Sequence, residues 1–128
     1  MTKKEHWKAE PDEHDYPAAG AYLSLLMTKA EVTATVRKLK AATLSTSKAQ
    51  DLLRASRLEM LPIDNHEVLR DLKKVRKGEL LSPLLLVRGH AGSDVALTVA
   101  DGYHRICASY HLDEDTDIPC RIVDPPPA

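Results

Sequence analysis

The spacing of apolar residues changes near the middle of the chain. In the first half they recur three to four positions apart, which is typical of amphipathic helices. Three helices are predicted there: residues 18–27, residues 29–42, and a third that starts at Ser45 or Ser47 and ends near Ser56. Thr28 and Glu31 have the spacing of a capping box at the start of the second helix. Asp15 is a candidate cap for the first helix, and Pro17 suits its first position.

In the second half, short apolar runs alternate with helical patterns. The predicted order is a strand at 58–63, a helix at 66–77, strands at 84–88 and 95–100, a helix at 103–112 and a strand at 119–123. Pro62 places the first of these strands at a sheet edge. This order predicts an α/β (α+β) fold with a mixed-sheet core behind a helical N-terminal region. The predicted division is an extended arm (1–16), a helical region (17–57), the core (58–124) and a Pro-rich tail (125–128).

Composition narrows the class of protein. The chain has 128 residues, of which 43% are hydrophobic and 29% charged, with a net charge of −1. No apolar run is long enough to span a bilayer, and no signal-peptide core follows the N-terminus. Cys107 and Cys120 lack the spacing of a disulfide framework, and we expect two buried, reduced thiols. We therefore expect a cytoplasmic protein with no membrane partner. The histidines and the acidic loop at 113–117 lack metal-ligand spacing, so no metal site is predicted.

Charge is distributed unevenly along the chain. Residues 29–77 carry 12 basic and 6 acidic side chains, a net of +6. Acidic residues are interleaved and no aromatic residues accompany the basic ones, which favours solvated faces of amphipathic helices. The alternative is a nucleic-acid-associated adaptor that uses this basic segment.

The densest group of functional side chains lies between the predicted strand 95–100 and the helix that follows it. The residues are Asp101, Gly102, Tyr103, His104 and Arg105. The first N–H groups of a helix have no intrahelical partner and attract anions. Gly102 permits a close approach to the main chain. Arg105 stands at the positive end of the helix dipole, where an acidic residue is normally favoured. This arrangement predicts a phosphate site. The structural alternative is that Asp101 caps the helix and Arg105 is only an ion-pair partner.

The chain over residues 58–123 resembles the ParB/sulfiredoxin superfamily. The resemblance rests on three segments: Leu84-Leu-Leu-Val-Arg88, the G-x-x-R-x-x-A pattern at Gly102, Arg105 and Ala108, and the closing Ile118-Pro-Cys-Arg-Ile-Val123. The segments Leu61-Pro-Ile-Asp64 and Gly78-x-Leu80-x-x-Pro83 resemble the family's opening elements. Residues 17–57 lie outside the resemblance.

The resemblance implies nucleotide binding, with the phosphates on Gly102, Tyr103, His104 and Arg105. Asp101 would orient these groups or help to carry Mg²⁺. It also implies two alternative activities on the same site, a phosphotransferase (free amino-acid kinase-like) or a nuclease. Asp64 and Glu67 are the candidate acidic bases. Tyr103 replaces the catalytic cysteine of sulfiredoxins, so that chemistry is not expected.

A complete partition protein is also not expected, because a second arginine motif and a helix-turn-helix are not seen before Ala128. The expected partner is a nucleotide or another phosphorylated small molecule. Nucleic acid, a homodimer and a partner protein bound by residues 17–57 remain open alternatives.

Overall fold

The computed structural model describes residues 6–127 and confirms an α/β fold within that range. Five α-helices surround one four-stranded mixed sheet. The helices are α1 (Asp15–Leu23), α2 (Lys29–Ala41), α3 (Ala49–Ser56), α4 (His66–Arg76) and α5 (Tyr103–Leu112). The strands are β1 (Ser45–Lys48), β2 (Leu84–Val87), β3 (Thr98–Asp101) and β4 (Asp117–Val123). No helix in the described range is both long and apolar enough to cross a bilayer.

The sheet has the strand order β1-β4-β2-β3. The two inner strands, β2 and β4, run parallel, with Leu84 opposite Cys120. Both outer strands are antiparallel to their neighbours. All four residues of β2 are buried, because helices cover both faces of the sheet at this strand.

Two hydrophobic clusters lie on opposite faces of the sheet. Leu84 and Leu86 of β2 face α3, α4 and α5, whereas Leu85 and Val87 face α1 and α2. The alternation follows from the two-residue period of a strand. Cys107 and Cys120 are free and buried in the first cluster, as expected, and burial raises the pKa of both thiols.

The predicted capping box is confirmed, and two further helix ends have equally local signals. Thr28 and Glu31 form the capping box of α2 with reciprocal hydrogen bonds of 3.2 and 2.9 Å. Asn65 caps α4 by accepting hydrogen bonds from two backbone N–H groups. Gly78 follows the end of α4 with φ +85°. These features depend on neighbouring residues alone, which is why the sequence pattern detects them.

The predicted strand at 58–63 is wrong, because these residues form no strand. The backbone of this segment is bound by side chains of α5 and not by a neighbouring strand. The Tyr103 hydroxyl donates to the Glu59 carbonyl, and His111 Nε2 lies 2.8 Å from the Leu61 carbonyl oxygen.

The predicted start of the third helix is also wrong. Ser45–Lys48 is strand β1, paired with β4, and α3 begins only at Ala49. Three of the four β1 residues are exposed, so no apolar alternation marks the strand in the sequence.

The first helix differs from its prediction in position and in burial. It runs from Asp15 to Leu23, with His14 at the N-cap position and no side-chain cap. Asp15 is therefore not a cap. Leu25 and Leu26, expected within a buried helix, lie after its end and are exposed.

The described part of the predicted arm is attached to the core. Trp7 is buried and forms a bridge with Leu81. The Lys8 N–H donates to the Leu81 carbonyl at 2.7 Å, and the Leu81 N–H donates to the His6 carbonyl at 2.8 Å. Residues 1–5 of the arm and residue 128 of the tail lie outside the described residues.

Candidate functional site

The turn between β3 and α5 has the predicted strand–glycine–helix geometry. Gly102 has φ +116° and occupies the N-cap position of α5, and no side chain caps this helix. A Cβ atom on Gly102 would lie 2.3 Å from Leu84 Cδ2 and 2.9 Å from Arg105 Nη2. The space beside the glycine is thus taken by Leu84 and Arg105. The glycine permits this internal packing, and the guanidinium of Arg105 rests directly against the turn.

Arg105 is largely buried, with its side chain 16% exposed. Its Nη2 donates to Asp101 Oδ2 at 2.8 Å, and its Nη1 lies 3.8 Å from Asp15 Oδ2. Its Nε is buried without a hydrogen-bond partner among residues 6–127. Asp101 therefore orients Arg105 and does not cap the helix. Arg105 does form the ion pair with Asp101 that was the structural alternative to a phosphate site. A guanidinium has five N–H donors, however, and this ion pair does not use all of them.

Asp15 reaches the same guanidinium from the first turn of α1. Its side chain is only 4% exposed. It accepts a hydrogen bond from the Ser82 hydroxyl, and Ser82 Oγ in turn accepts one from the Asp12 N–H at 2.9 Å. These partners offset the cost of burying a carboxyl group away from water.

Asp71 of α4 is a buried acidic residue that the sequence analysis missed. Burial raises its pKa, and the nearby charge of Arg105 opposes that rise. The pKa of Asp101 is raised in the same way, by burial first, against the lowering effect of Arg105. Asp71 could have been found from its position, because it falls at helical spacing from Val68 and Val75 on the apolar side of α4.

These side chains line a cleft of about 440 Å³. Its lining residues are Lys8, Asp12, His14, Asp71, Lys74, Glu79, Leu80, Leu81, Ser82 and Arg105. Asp15 and Asp101 contact it through Arg105. The cleft and the ion-pair partners of Arg105 therefore include three cationic side chains and five acidic ones. A phosphate group would need a cation to offset this excess of acidic groups.

The remaining predicted site residues lie around this cleft. Tyr103 packs its ring against the core, and the His104 ring lies beside it at an interplanar angle of 41°, with ring centroids 5.4 Å apart. Asp64 is exposed in the turn before α4, and Glu67 Oε1 lies 3.5 Å from Arg70 Nη1. None of these four side chains lines the cleft.

Asp12, His14 and Asp15 could hold a metal ion. One ligand atom from each lies within 4.8 Å of the others. A hydrogen bond from Lys8 lowers the pKa of Asp12, which keeps this carboxylate ionised. The sequence predicts no metal site here, because these residues do not have the ligand spacing of a single helix or calcium loop. They lie in a turn and at the start of α1.

The basic segment at 29–77 is distributed over exposed helix faces. A groove of about 370 Å³ along α4 is lined by His66, Leu69, Arg70, Lys73, Lys74, Lys77 and Glu79. Its lining contains no phenol or indole ring on which a base could stack. The geometry is that of a solvated helix face.

Comparisons of the chain with protein-family models, curated proteins and solved structures find no match.

Replacing Gly102 with alanine should destabilise the fold through both backbone strain and overlap with Leu84. We expect the free energy of unfolding in urea to fall by about 2 kcal/mol or more. The matched control is Gly78→Ala, which has φ +85° and no atom within 4 Å of the added Cβ, and therefore only the strain. Equal losses in the two variants would contradict the packing described for Gly102.

Replacing Asp71 with asparagine should stabilise the protein at neutral pH. A carboxyl group whose pKa is raised by folding stabilises the fold below its unfolded pKa, about 3.9, and loses that contribution as pH rises through the folded pKa. Thermal unfolding of D71N and the wild type should coincide near pH 3, with D71N increasingly more stable above pH 4. A wild type that is the more stable protein at pH 7 would disprove the raised pKa.

Proposed function

We propose that the cleft lined by Arg105 binds the phosphate groups of a nucleotide or another phosphorylated ligand. The observation that carries this proposal is the position of Arg105. Its guanidinium rests against the turn, is oriented by Asp101, and keeps a buried Nε–H without a partner among the described residues. A buried guanidinium with a spare donor suits a charge-assisted hydrogen bond to an oxyanion.

The backbone adds further donors at the same place. The first N–H groups of α5 point out of the start of the helix, where no side chain caps them. The positive end of the helix dipole strengthens their attraction for an anion. These N–H groups begin beside the Arg105 guanidinium, which packs against Gly102 at the edge of the cleft.

The acidic side chains of the cleft call for a divalent cation with the phosphate. Mg²⁺ is commonly held by one or two carboxylates together with phosphate oxygens. We assign this role to Asp12 and Asp15, whose ligand atoms lie within 4.8 Å of each other and of His14. This assignment replaces Asp101 as the cation-carrying residue, because Asp101 does not belong to the group of potential ligand atoms that Asp12, His14 and Asp15 form.

The order β2, β3, α5, β4 follows the order of the motifs that resemble the ParB/sulfiredoxin superfamily. The family's opening strand has no counterpart here, since residues 58–63 form no strand. The resemblance therefore supports the proposal through the region around Gly102 and not through the whole pattern.

Calorimetry and thermal shift with ATP, ADP, CTP and GTP, with and without Mg²⁺, test the proposal. We expect binding that depends on Mg²⁺. The dissociation constant should be at least tenfold larger in Arg105→Lys, and the Mg²⁺ dependence should be lost in Asp12→Asn. Arg70→Gln, an exposed arginine outside the cleft, is the matched control and should bind as the wild type does. The proposal fails if no nucleotide binds the wild type at millimolar concentration.

A phosphotransferase is the second candidate, and Asp71 favours it. A carboxylate with a raised pKa in the same cleft as a phosphate-binding arginine suits a general base for a hydroxyl acceptor. In this function Asp71 takes the part assigned from the sequence to Asp64 or Glu67.

Phosphorus NMR with MgATP and the hydroxyl amino acids serine and threonine tests this activity. We expect phosphoryl transfer in the wild type. Asp71→Asn should abolish this transfer while nucleotide affinity is retained, whereas Asp64→Ala and Glu67→Ala should leave the transfer intact. Transfer that survives in Asp71→Asn would exclude Asp71 as the base. Cleavage of DNA in the presence of Mg²⁺, without transfer, would support the nuclease alternative.

A further inference from the structure

We propose that a second cleft, between α3 and the β2–β3 connection, binds a small amphipathic anion with an apolar body and one carboxylate or phosphate group. The cleft has a volume of about 490 Å³, in the usual range for small-molecule sites. It lies where the parallel strands β2 and β4 reach their carboxyl ends, the position at which open α/β sheets commonly bind ligands. It shares no lining residue with the cleft of Arg105, so this proposal does not rest on the proposed function.

The floor of the second cleft is apolar. Leu86 of β2 and Ile122 of β4 are paired neighbours in the sheet, and both line the cleft. Leu52 and Ala55 of α3 and Leu97 before β3 complete this surface. An apolar ligand body would therefore be buried against the sheet.

Three guanidinium groups stand at the rim. Arg54 and Arg57 come from the end of α3, and Arg88 follows β2 directly. Asp51 is the one acidic residue of the lining, while Asp94 and Asp124 pair with Arg57 and Arg88 from outside it. An anionic ligand head group would compete with these acids for the guanidinium groups.

The present partners of these arginines are easily replaced. Arg54, Arg57 and Arg88 pair with Asp51, Asp94 and Asp124, whose side chains are 59%, 88% and 75% exposed. Ion pairs this exposed contribute little to stability. A ligand anion over the apolar floor could therefore take their place without cost to the core.

Two residues with left-handed backbone conformation lie at the same rim. Among residues 6–127 only two non-glycine residues have positive φ, Arg57 at +60° and Asp94 at +58°. They are hydrogen-bonded to each other through Nη2 and Oδ1. Both are C-cap residues, Arg57 of α3 and Asp94 of the short 3-10 turn Ala91–Ser93, so their ion pair joins two helix ends at the rim.

The walls are fixed by close backbone contacts. A Cβ on Gly89 would lie 2.4 Å from the Val95 carbonyl oxygen, so the β2–β3 connection closes tightly there. The Leu97 N–H donates to the Ala55 carbonyl at 3.0 Å and joins this connection to α3. The cleft is thus preformed, which lowers the entropy cost of binding.

Binding of the fluorescent probe 8-anilinonaphthalene-1-sulfonate, which joins an apolar body to one anion, tests the proposal. We expect saturable binding to the folded full-length protein, with affinity at least tenfold weaker in the double variant Arg54→Gln/Arg88→Gln. The uncharged probe N-phenyl-1-naphthylamine should bind both proteins equally, because it needs only the apolar floor. Near-ultraviolet circular dichroism of Trp7 confirms that each variant is folded.

Two matched controls keep the result specific. Arg70→Gln/Arg76→Gln removes two exposed arginines of α4, and Leu25→Ser/Leu26→Ser removes the exposed leucines after α1. Both should bind the sulfonate probe as the wild type does. Absence of saturable binding, equal affinity in the Arg54/Arg88 variant, or loss of binding in the leucine variant would overturn the proposal.

Displacement by octanoate would identify a carboxylate head group and displacement by octyl phosphate a phosphate. Displacement by neither would contradict the assigned ligand class.

Discussion

The structure depends on one buried guanidinium and the carboxylates that surround it. Arg105 of α5 pairs with Asp101 of β3 and with Asp15 of α1, and its charge reaches Asp71 of α4. Removing Asp101 or Asp15, the ion-pair partners of Arg105, leaves an uncompensated buried charge, which typically costs about 3–5 kcal/mol. The three elements that carry these residues, α5, β3 and α1, must therefore keep their relative positions for Arg105 to be accommodated. The same constraint holds Arg105 against the Gly102 turn, so the fold and the candidate site rest on the same contacts.

The arginines of the two clefts differ in a way that matches their proposed ligands. Arg105 is fixed by buried partners and offers only its spare donors, which suits a small, highly charged phosphate group in one orientation. Arg54, Arg57 and Arg88 pair with exposed acids around an apolar floor. Groups held so loosely can adapt to the head group of a larger, mostly apolar ligand. The two clefts therefore differ in how deeply the acidic partners of their arginines are buried, and we expect them to recognise different anions.

The sequence predicts the parts of this protein that neighbouring residues determine. The Thr28–Glu31 capping box and the strand–Gly102–helix turn have local signatures, and both are present. Strand β1 was missed because its stability comes from pairing with β4, far away in sequence. The same limit applies to the site. Arg105 was found from its place in a helix, but Asp15 and Asp71 approach it only through the packing of α1 and α4, which no spacing along the chain reveals.

Two-dimensional ¹H–¹⁵N NMR during titration with magnesium pyrophosphate tests the central claim most directly, because it reports on each N–H group separately. The account predicts that the largest shifts fall on the backbone amides of Gly102, Tyr103 and His104 and on the Arg105 Nε–H. Shifts confined to the second cleft around Arg54, Arg57 and Arg88, or no shifts at millimolar pyrophosphate, would contradict it.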